Sequence, residues 1–142
     1  MNELLERAIK LAKKYHEGQF DKGGSPYIEH PLRVMEGVES IDEKILAVLH
    51  DVLEDCDASR DELINEGIPE CLVEKLEILC KGKNENYFDY IDRIKVDKST
   101  INVKLSDLKD NMNLKRLKEV TEKDLKRIEK YNKAKEILEN YK

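Results

Sequence analysis

I-L-A-V-L-H-D-V-L-E-D, residues 45–55, is the most apolar run in a chain whose residues are 40% charged. Ile45, Leu46, Val48, Leu49, Val52 and Leu53 predict a helix that is buried on most of its circumference. Four polar residues interrupt it: His50, Asp51, Glu54 and Asp55. Residues four apart share a helical face, so a continuous helix stacks His50 over Glu54 and Asp51 over Asp55. Carboxylates in a buried setting are costly unless they are paired, hydrogen-bonded or bound to a metal. A cation is therefore expected beside this seam, and a metal ion is the economical candidate.

The rest of the chain sets the frame for that helix. Its 142 residues suffice for one domain with a real core, and a single domain over 1–142 is expected. The formal net charge of −5 gives no footprint for nucleic acid, although a local basic pocket is compatible with it. No apolar run approaches the roughly 18 residues that a membrane span needs. The opening M-N-E-L-L-E-R-A-I-K is amphipathic and does not read as a signal peptide. Cys56, Cys71 and Cys80 lack metal-type spacing and read as reduced thiols in a cytoplasmic protein. A chain rich in Lys, Glu, Leu and Ile, with 6 Gly and 3 Pro, favours helix throughout. The expected class is all-α.

Asn2 to Tyr15 reads as a capped amphipathic helix that stops near Gly18. Gln19 to Pro26, Q-F-D-K-G-G-S-P, is a loop; its paired glycines suit a phosphate and equally suit an ordinary turn. Tyr27 to Val38 reads as a short helix carrying His30, which is either a structural histidine or a ligand. Asp42 is the expected cap of the central helix. Ser59 to Glu62 has capping-box form, Pro69 opens a further helix, and Asn84 to Val96 reads as another. In T-I-N-V-K-L-S-D-L-K-D-N-M-N, residues 100–113, Asp107 and Asn111 share a face that is either a solvated acidic surface or part of a site. Thr121 is expected to cap a last helix that buries Leu125, Ile128, Tyr131, Ala134 and Leu138.

His30, the pair His50-Asp51, and Asp107 together make a mixed nitrogen–oxygen set suited to Mn²⁺, Fe²⁺, Co²⁺ or Zn²⁺. The order H…HD…D resembles HD-type phosphohydrolases. The chain is similar in particular to the hydrolase domain of the RelA/SpoT family and its small stand-alone relatives. The segments that carry the resemblance are H-E-G-Q-F-D-K-G-G-S-P-Y-I-E-H-P-L-R-V at 16–34, A-V-L-H-D-V-L-E-D at 47–55, and V-K-L-S-D-L-K-D-N-M at 103–112.

The resemblance implies a compact single-domain helical bundle with one divalent metal, usually Mn²⁺. His30, His50, Asp51 and Asp107 match its ligands, and Glu54 and Asp55 match a catalytic acidic pair. Lys22 matches a pocket lysine and Asn111 a substrate-contacting asparagine. The implied reaction removes pyrophosphate from the 3′ position of guanosine tetra- or pentaphosphate, a small-molecule nucleotide. Three pocket positions differ from the family pattern: Asp21, where a basic residue is common and can stack on guanine, Leu108 in place of Arg, and Leu114 in the N-M-R-T run. Those differences keep two alternatives in view: a metal phosphohydrolase of another nucleotide or phosphorylated small molecule, and a non-catalytic helical binding module.

Overall fold

The structure is a computed structural model that describes residues 2–56, 58–113, 117 and 119–141. The side chain of Asp55 lies outside the described part. The described residues form helices: α1 (Glu3–Tyr15), α2 (Glu29–Glu36), α3 (Ile41–Leu49), α4 (Val52–Asp55), α5 (Arg60–Asn65), α6 (Glu70–Ile78), α7 (Tyr87–Ile94), α8 (Lys98–Asn111) and α9 (Glu122–Tyr141). Among them there is no strand, only an isolated bridge between Phe20 and Pro26. The all-α expectation holds.

Burial follows the apolar pattern. Ile45, Leu46, Ala47, Val48 and Leu49 of α3 are fully buried, as a helix apolar all round must be. α3 lies at the centre, packed by α1, α2, α6 and α8, and α9 closes over α7 and α8. Asn2 caps α1 as expected, its side chain accepting from the Leu4 and Leu5 N–H groups. The cap of α3 is Ser40, not Asp42. Ser40 Oγ accepts from Glu43 N–H while the Glu43 carboxylate accepts from Ser40 N–H, a reciprocal box that offers the backbone more than Asp42 does. The last helix buries Asp124, Ala134 and Leu138, whereas Leu125 is 54% exposed. Asp124 turns inward because its carboxylate accepts from Thr121 N–H and Oγ1–H at the helix start.

The expected continuous helix through Asp55 is two helices. His50 Nδ1–H donates to the Ala47 carbonyl at 2.5 Å, so the ring takes an acceptor that a continuing helix would offer to Asp51 N–H. His50 and Asp51 thus sit at a joint, and the one-turn α4 restarts beyond it.

Two further contacts bring distant segments into register. Lys44 reaches back across the α2–α3 connection and donates to the Val38 carbonyl at 2.7 Å and the Met35 carbonyl at 3.3 Å, satisfying the open end of α2. Ser106 of α8 donates to the Val34 carbonyl at 2.8 Å. That crossing is tight enough that a Cβ at Gly37 would overlap Ser106 Oγ and lie 3.2 Å from Ser106 Cβ.

Gly37 has an ordinary φ of −84°, so alanine there meets no backbone penalty and only the crowding remains. Gly37→Ala is expected to cost about 1–3 kcal/mol of stability, the usual range for overpacking. Denaturant titration should show that Gly37→Ala combined with Ser106→Ala costs less than the sum of the single changes. Strict additivity would show that α2 and α8 do not meet at this point.

Candidate functional site

Three helices deliver one cluster. His30 comes from the first turn of α2, His50 and Asp51 from the joint after α3, and Asp107 from the middle of α8. All four are buried. His30 Nε2 lies 2.9 Å from Asp107 Oδ1, and His50 Nε2 lies 3.1 Å from the same oxygen. Asp51 Oδ2 is 3.2 Å from His50 Nε2 and 3.7 Å from His30 Nε2. Metal–ligand bonds of about 2.0–2.2 Å at right angles place neighbouring donors roughly 3 Å apart, so the spacing suits a single small cation. His30, His50 and Asp107 offer donor atoms that all lie within 4.8 Å of one another.

Hydrogen bonds aim the donors. A carboxylate only accepts, so His30 Nδ1 carries the proton it shares with Asp110 Oδ2 at 2.6 Å, and Nε2 is left facing the cluster. Asp110 is itself held by Arg33, at 2.7 Å from Nε and 3.2 Å from Nη2. The bond from His50 Nδ1–H to Ala47 fixes that ring in the same tautomer. Tyr27 Oη donates to Asp51 Oδ2 at 2.6 Å. Lys104 Nζ donates to Asp107 Oδ2 at 2.8 Å, and Asn111 Nδ2 donates to Oδ1 at 3.1 Å. Such outer partners orient metal ligands and raise their basicity.

The field of the cluster favours positive charge. Burial alone would lower the His50 pKa, but the Asp51 and Asp107 carboxylates outweigh it and raise it to about 9. Burial likewise opposes a charged His30, and its bonds to Asp107 and Asp110 overcome that, so its pKa is raised as well. Asp107 would be pushed up by burial, yet Lys104, His50 and His30 hold it well below the usual carboxylate range. The enclosed Lys104 ammonium is kept charged in turn, chiefly by Asp107 acting against its own burial.

A cavity of about 360 Å³ opens on this cluster. Glu54 lines it and is exposed, with Oε1 accepting from the Lys81 N–H at 3.1 Å. Asn111 lines it too, as do the amines of Lys81, Lys104 and Lys130. Lys22 does not. It lines an adjacent cavity of about 280 Å³, where its Nζ lies 4.0 Å from Asp124 Oδ1. The two cavities share Tyr27, Asn111 and Tyr131 as walls. The side chain of Asp55, and Leu114 altogether, lie outside the described residues. Leu108 is fully buried in the apolar core and so does not face the pocket as expected. Nothing in the sequence marks Tyr27, Lys104, Asp110 or Lys130 as site residues, and Tyr131 reads there as core alone. The one readable signal among them is the three-residue spacing of Lys104 and Asp107, which puts an ammonium on an acid one turn away.

No family model matches the chain. The chain is 36% identical to the guanosine-3′,5′-bis(diphosphate) 3′-pyrophosphohydrolase of Aquifex aeolicus (strain VF5), over 98% of this chain and 20% of that protein. It is 32% identical to the protein of the same name from Vibrio cholerae, over 78% of this chain and 18% of that one. It is 31% identical to a GTP pyrophosphokinase of Streptomyces coelicolor, over 96% of this chain and 17% of that one. The chain thus spans about a fifth of the length of these curated relatives. A solved structure described as a metazoan ortholog of SpoT that hydrolyzes ppGpp has the same fold. It superposes with a TM-score of 0.81 at 19% identity, over 97% of this chain and 86% of that one.

Asp110 holds His30 at Nδ1, the nitrogen turned away from the cluster, which makes it a test of ligand orientation. Asp110→Ala is expected to weaken Mn²⁺ binding by roughly 10–100-fold, the usual cost of losing such a partner. Competition against a metal-sensitive dye measures this, with circular dichroism as the control for folding. Unaltered affinity would show that the His30 ring is aimed by packing alone.

Proposed function

We propose that this chain, which resembles the RelA/SpoT-type hydrolases over nearly its whole length and shares their HD-type helical fold, is a metal-dependent hydrolase. Its reaction is removal of the 3′-pyrophosphate from guanosine tetra- and pentaphosphate. The observation that carries this reading is the convergence of His30, His50 and Asp107 at ligand distances on a cavity that Glu54 also lines. The names of the relatives from Aquifex aeolicus and Vibrio cholerae supply the substrate.

In this reading His30, His50, Asp51 and Asp107 hold one divalent cation, with Mn²⁺ first and Fe²⁺, Co²⁺ or Zn²⁺ compatible with the same donors. Such a cation lowers the pKa of water and offsets charge that builds on phosphate oxygens. Glu54 orients the attacking water and accepts its proton, the role for which a carboxylate on the solvent side of the ligands is placed. Asp55 supports it, an assignment that rests on the family pattern alone. Lys81, Lys104 and Lys130 offset the charge of the departing pyrophosphate. Asn111 and Lys22 contact the nucleotide beyond it. The segment 1–142 acts as one domain in the cytoplasm, on a small-molecule nucleotide and not on nucleic acid; no helix among the described residues is long and apolar enough to cross a membrane.

One observation favours a hydrolase of a different nucleotide. Asp21 Oδ1 accepts from the Ser25 N–H at 2.9 Å, so the residue that stands where relatives commonly carry a stacking base is spent on its own loop. A nucleotide panel separates the two readings. With Mn²⁺ present, guanosine tetraphosphate should yield guanosine diphosphate and pyrophosphate. Inert guanosine tetraphosphate, with release from another nucleotide, would shift the assignment to the second reading.

Glu54→Gln is expected to retain Mn²⁺ while losing turnover by roughly 10²–10⁴-fold. His50→Ala and Asp51→Ala are expected to lose both metal and turnover, since each removes a donor. Metal analysis of the purified variants beside pyrophosphate release distinguishes the two patterns. A Glu54→Gln enzyme of near-native rate would exclude that carboxylate as the proton acceptor.

A further inference from the structure

Phe20 is 66% exposed, although its loop is tied by backbone hydrogen bonds. The loop is pinned on both sides of it: Asp21 N–H donates to the Ser25 carbonyl at 2.8 Å, and Tyr27 N–H donates to the Gln19 carbonyl at 2.8 Å. Phe20 pairs with Pro26 in the bridge between those bonds. Neighbouring side chains of an extended segment point to opposite sides. Gln19 turns inward to His16, its Oε1 2.9 Å from His16 Nδ1, and the intervening Phe20 turns outward. Asp21 Oδ1 returns to the loop at Ser25 N–H. The loop therefore holds an aromatic face toward solvent at the cost of leaving apolar surface wet.

That exposed face borders a cavity. Phe20 walls the 280 Å³ cavity together with Tyr131, Leu117, Lys22 and Arg127. Arg127 pairs with the buried Asp124, and the exposed Lys22 Nζ lies 4.0 Å from the same carboxylate, so both cations stand beside one acid. The cavity adjoins the one at the His30–His50–Asp107 cluster, with Tyr27, Asn111 and Tyr131 as shared walls. An aromatic face, two cations and a cavity side by side with the His30–His50–Asp107 cluster suit a ligand with a flat ring at one end and phosphates elsewhere.

We propose that Phe20 is the platform on which the nucleobase stacks, and that it sets a preference for purines over pyrimidines. The base lies on the Phe20 ring, phosphates attached at the 5′ side meet Lys22 and Arg127, and the group to be cleaved extends past Asn111 to His30, His50 and Asp107. The preference follows from ring area, because a purine covers more of an aromatic face than a pyrimidine does. This inference rests on the reading of the chain as a nucleotide hydrolase, and Phe20 is a specificity-determining residue within it.

The chain contains no tryptophan, so Phe20→Trp creates a single fluorescent reporter at the proposed contact. The protein is titrated with guanosine diphosphate, uridine diphosphate and inorganic pyrophosphate in the presence of Mn²⁺. Saturable quenching by guanosine diphosphate, weaker quenching by uridine diphosphate and none by pyrophosphate is the expected result. In parallel, Phe20→Ala should raise KM for guanosine tetraphosphate by about tenfold or more with kcat little changed, the pattern of a lost stacking contact that forms before the transition state. Equal quenching by all three probes, or no quenching with native KM in Phe20→Ala, would overturn the assignment, and the second outcome would leave Phe20 as a contact for another macromolecule. Quenching by the nucleotides without turnover of any of them would leave the platform standing and remove the hydrolase reading.

Discussion

Asp107 has almost no access to water, and the rest of the structure is arranged to tolerate that. Its Oδ1 faces two imidazoles and the Asn111 amide, and its Oδ2 takes the Lys104 ammonium. A buried carboxylate with fewer partners would be strongly destabilising. To supply them, α8 must lie against α2 and α3 at close range, and the sequence provides for this with a glycine at position 37, a serine at 106 and a lysine at 44 that ties off the end of α2. The core residues of α3 fix the depth at which His50 emerges. Packing and site are thus one problem here: the helices that bury the apolar surface are also the ones that hold the acid among its partners.

The sequence was readable where a single local rule decided the outcome. Asn2 and Ser59 cap the helices they were expected to cap, and the apolar run of α3 is central and fully buried. It was less readable where two local rules compete. Ser40 and Asp42 are both acceptable caps, and the choice falls to Ser40 because Glu43 completes a reciprocal pair. Leu125 gives way to Asp124 on the buried side because the capping carboxylate has nearer partners. The break at His50 had no apolar or glycine signal, since it arises from a ring nitrogen competing for the Ala47 carbonyl. In the site, each of His30, His50, Asp51 and Asp107 has an ordinary structural reading when taken singly. Their order and spacing along the chain grouped them, and the fold places them within a few ångströms of one another. Asp110 and Lys104 carried too little signal for their present parts because acids and lysines on a helix as polar as α8 are usually solvated.

The chain carries a net charge of −5, yet its two adjacent cavities bring together Lys22, Lys81, Lys104, Lys130 and Arg127. These cations stand beside acids of the same cavities, Asp21, Asp51, Glu54 and Asp107, so both signs of charge line the cleft. Crowding of these amines is visible in Lys130, whose pKa is lowered by burial and then by Lys81, Arg127 and Lys104.

The joint after α3 divides the chemistry of the chain between two kinds of position. His50 is locked by Ala47 and by the core beneath it, so a change there disturbs packing and donor set together. Glu54 stands on the single turn of α4, exposed, with Oε1 accepting from a backbone N–H that any residue at position 81 other than proline would supply. A change at Glu54 therefore leaves the core beneath His50 untouched, whereas a change at either histidine does not. A domain built in this way is suited to divergence by descent: lineages that keep the same helices and the same donor set can trade one reaction for another, or fall silent, by altering a single turn.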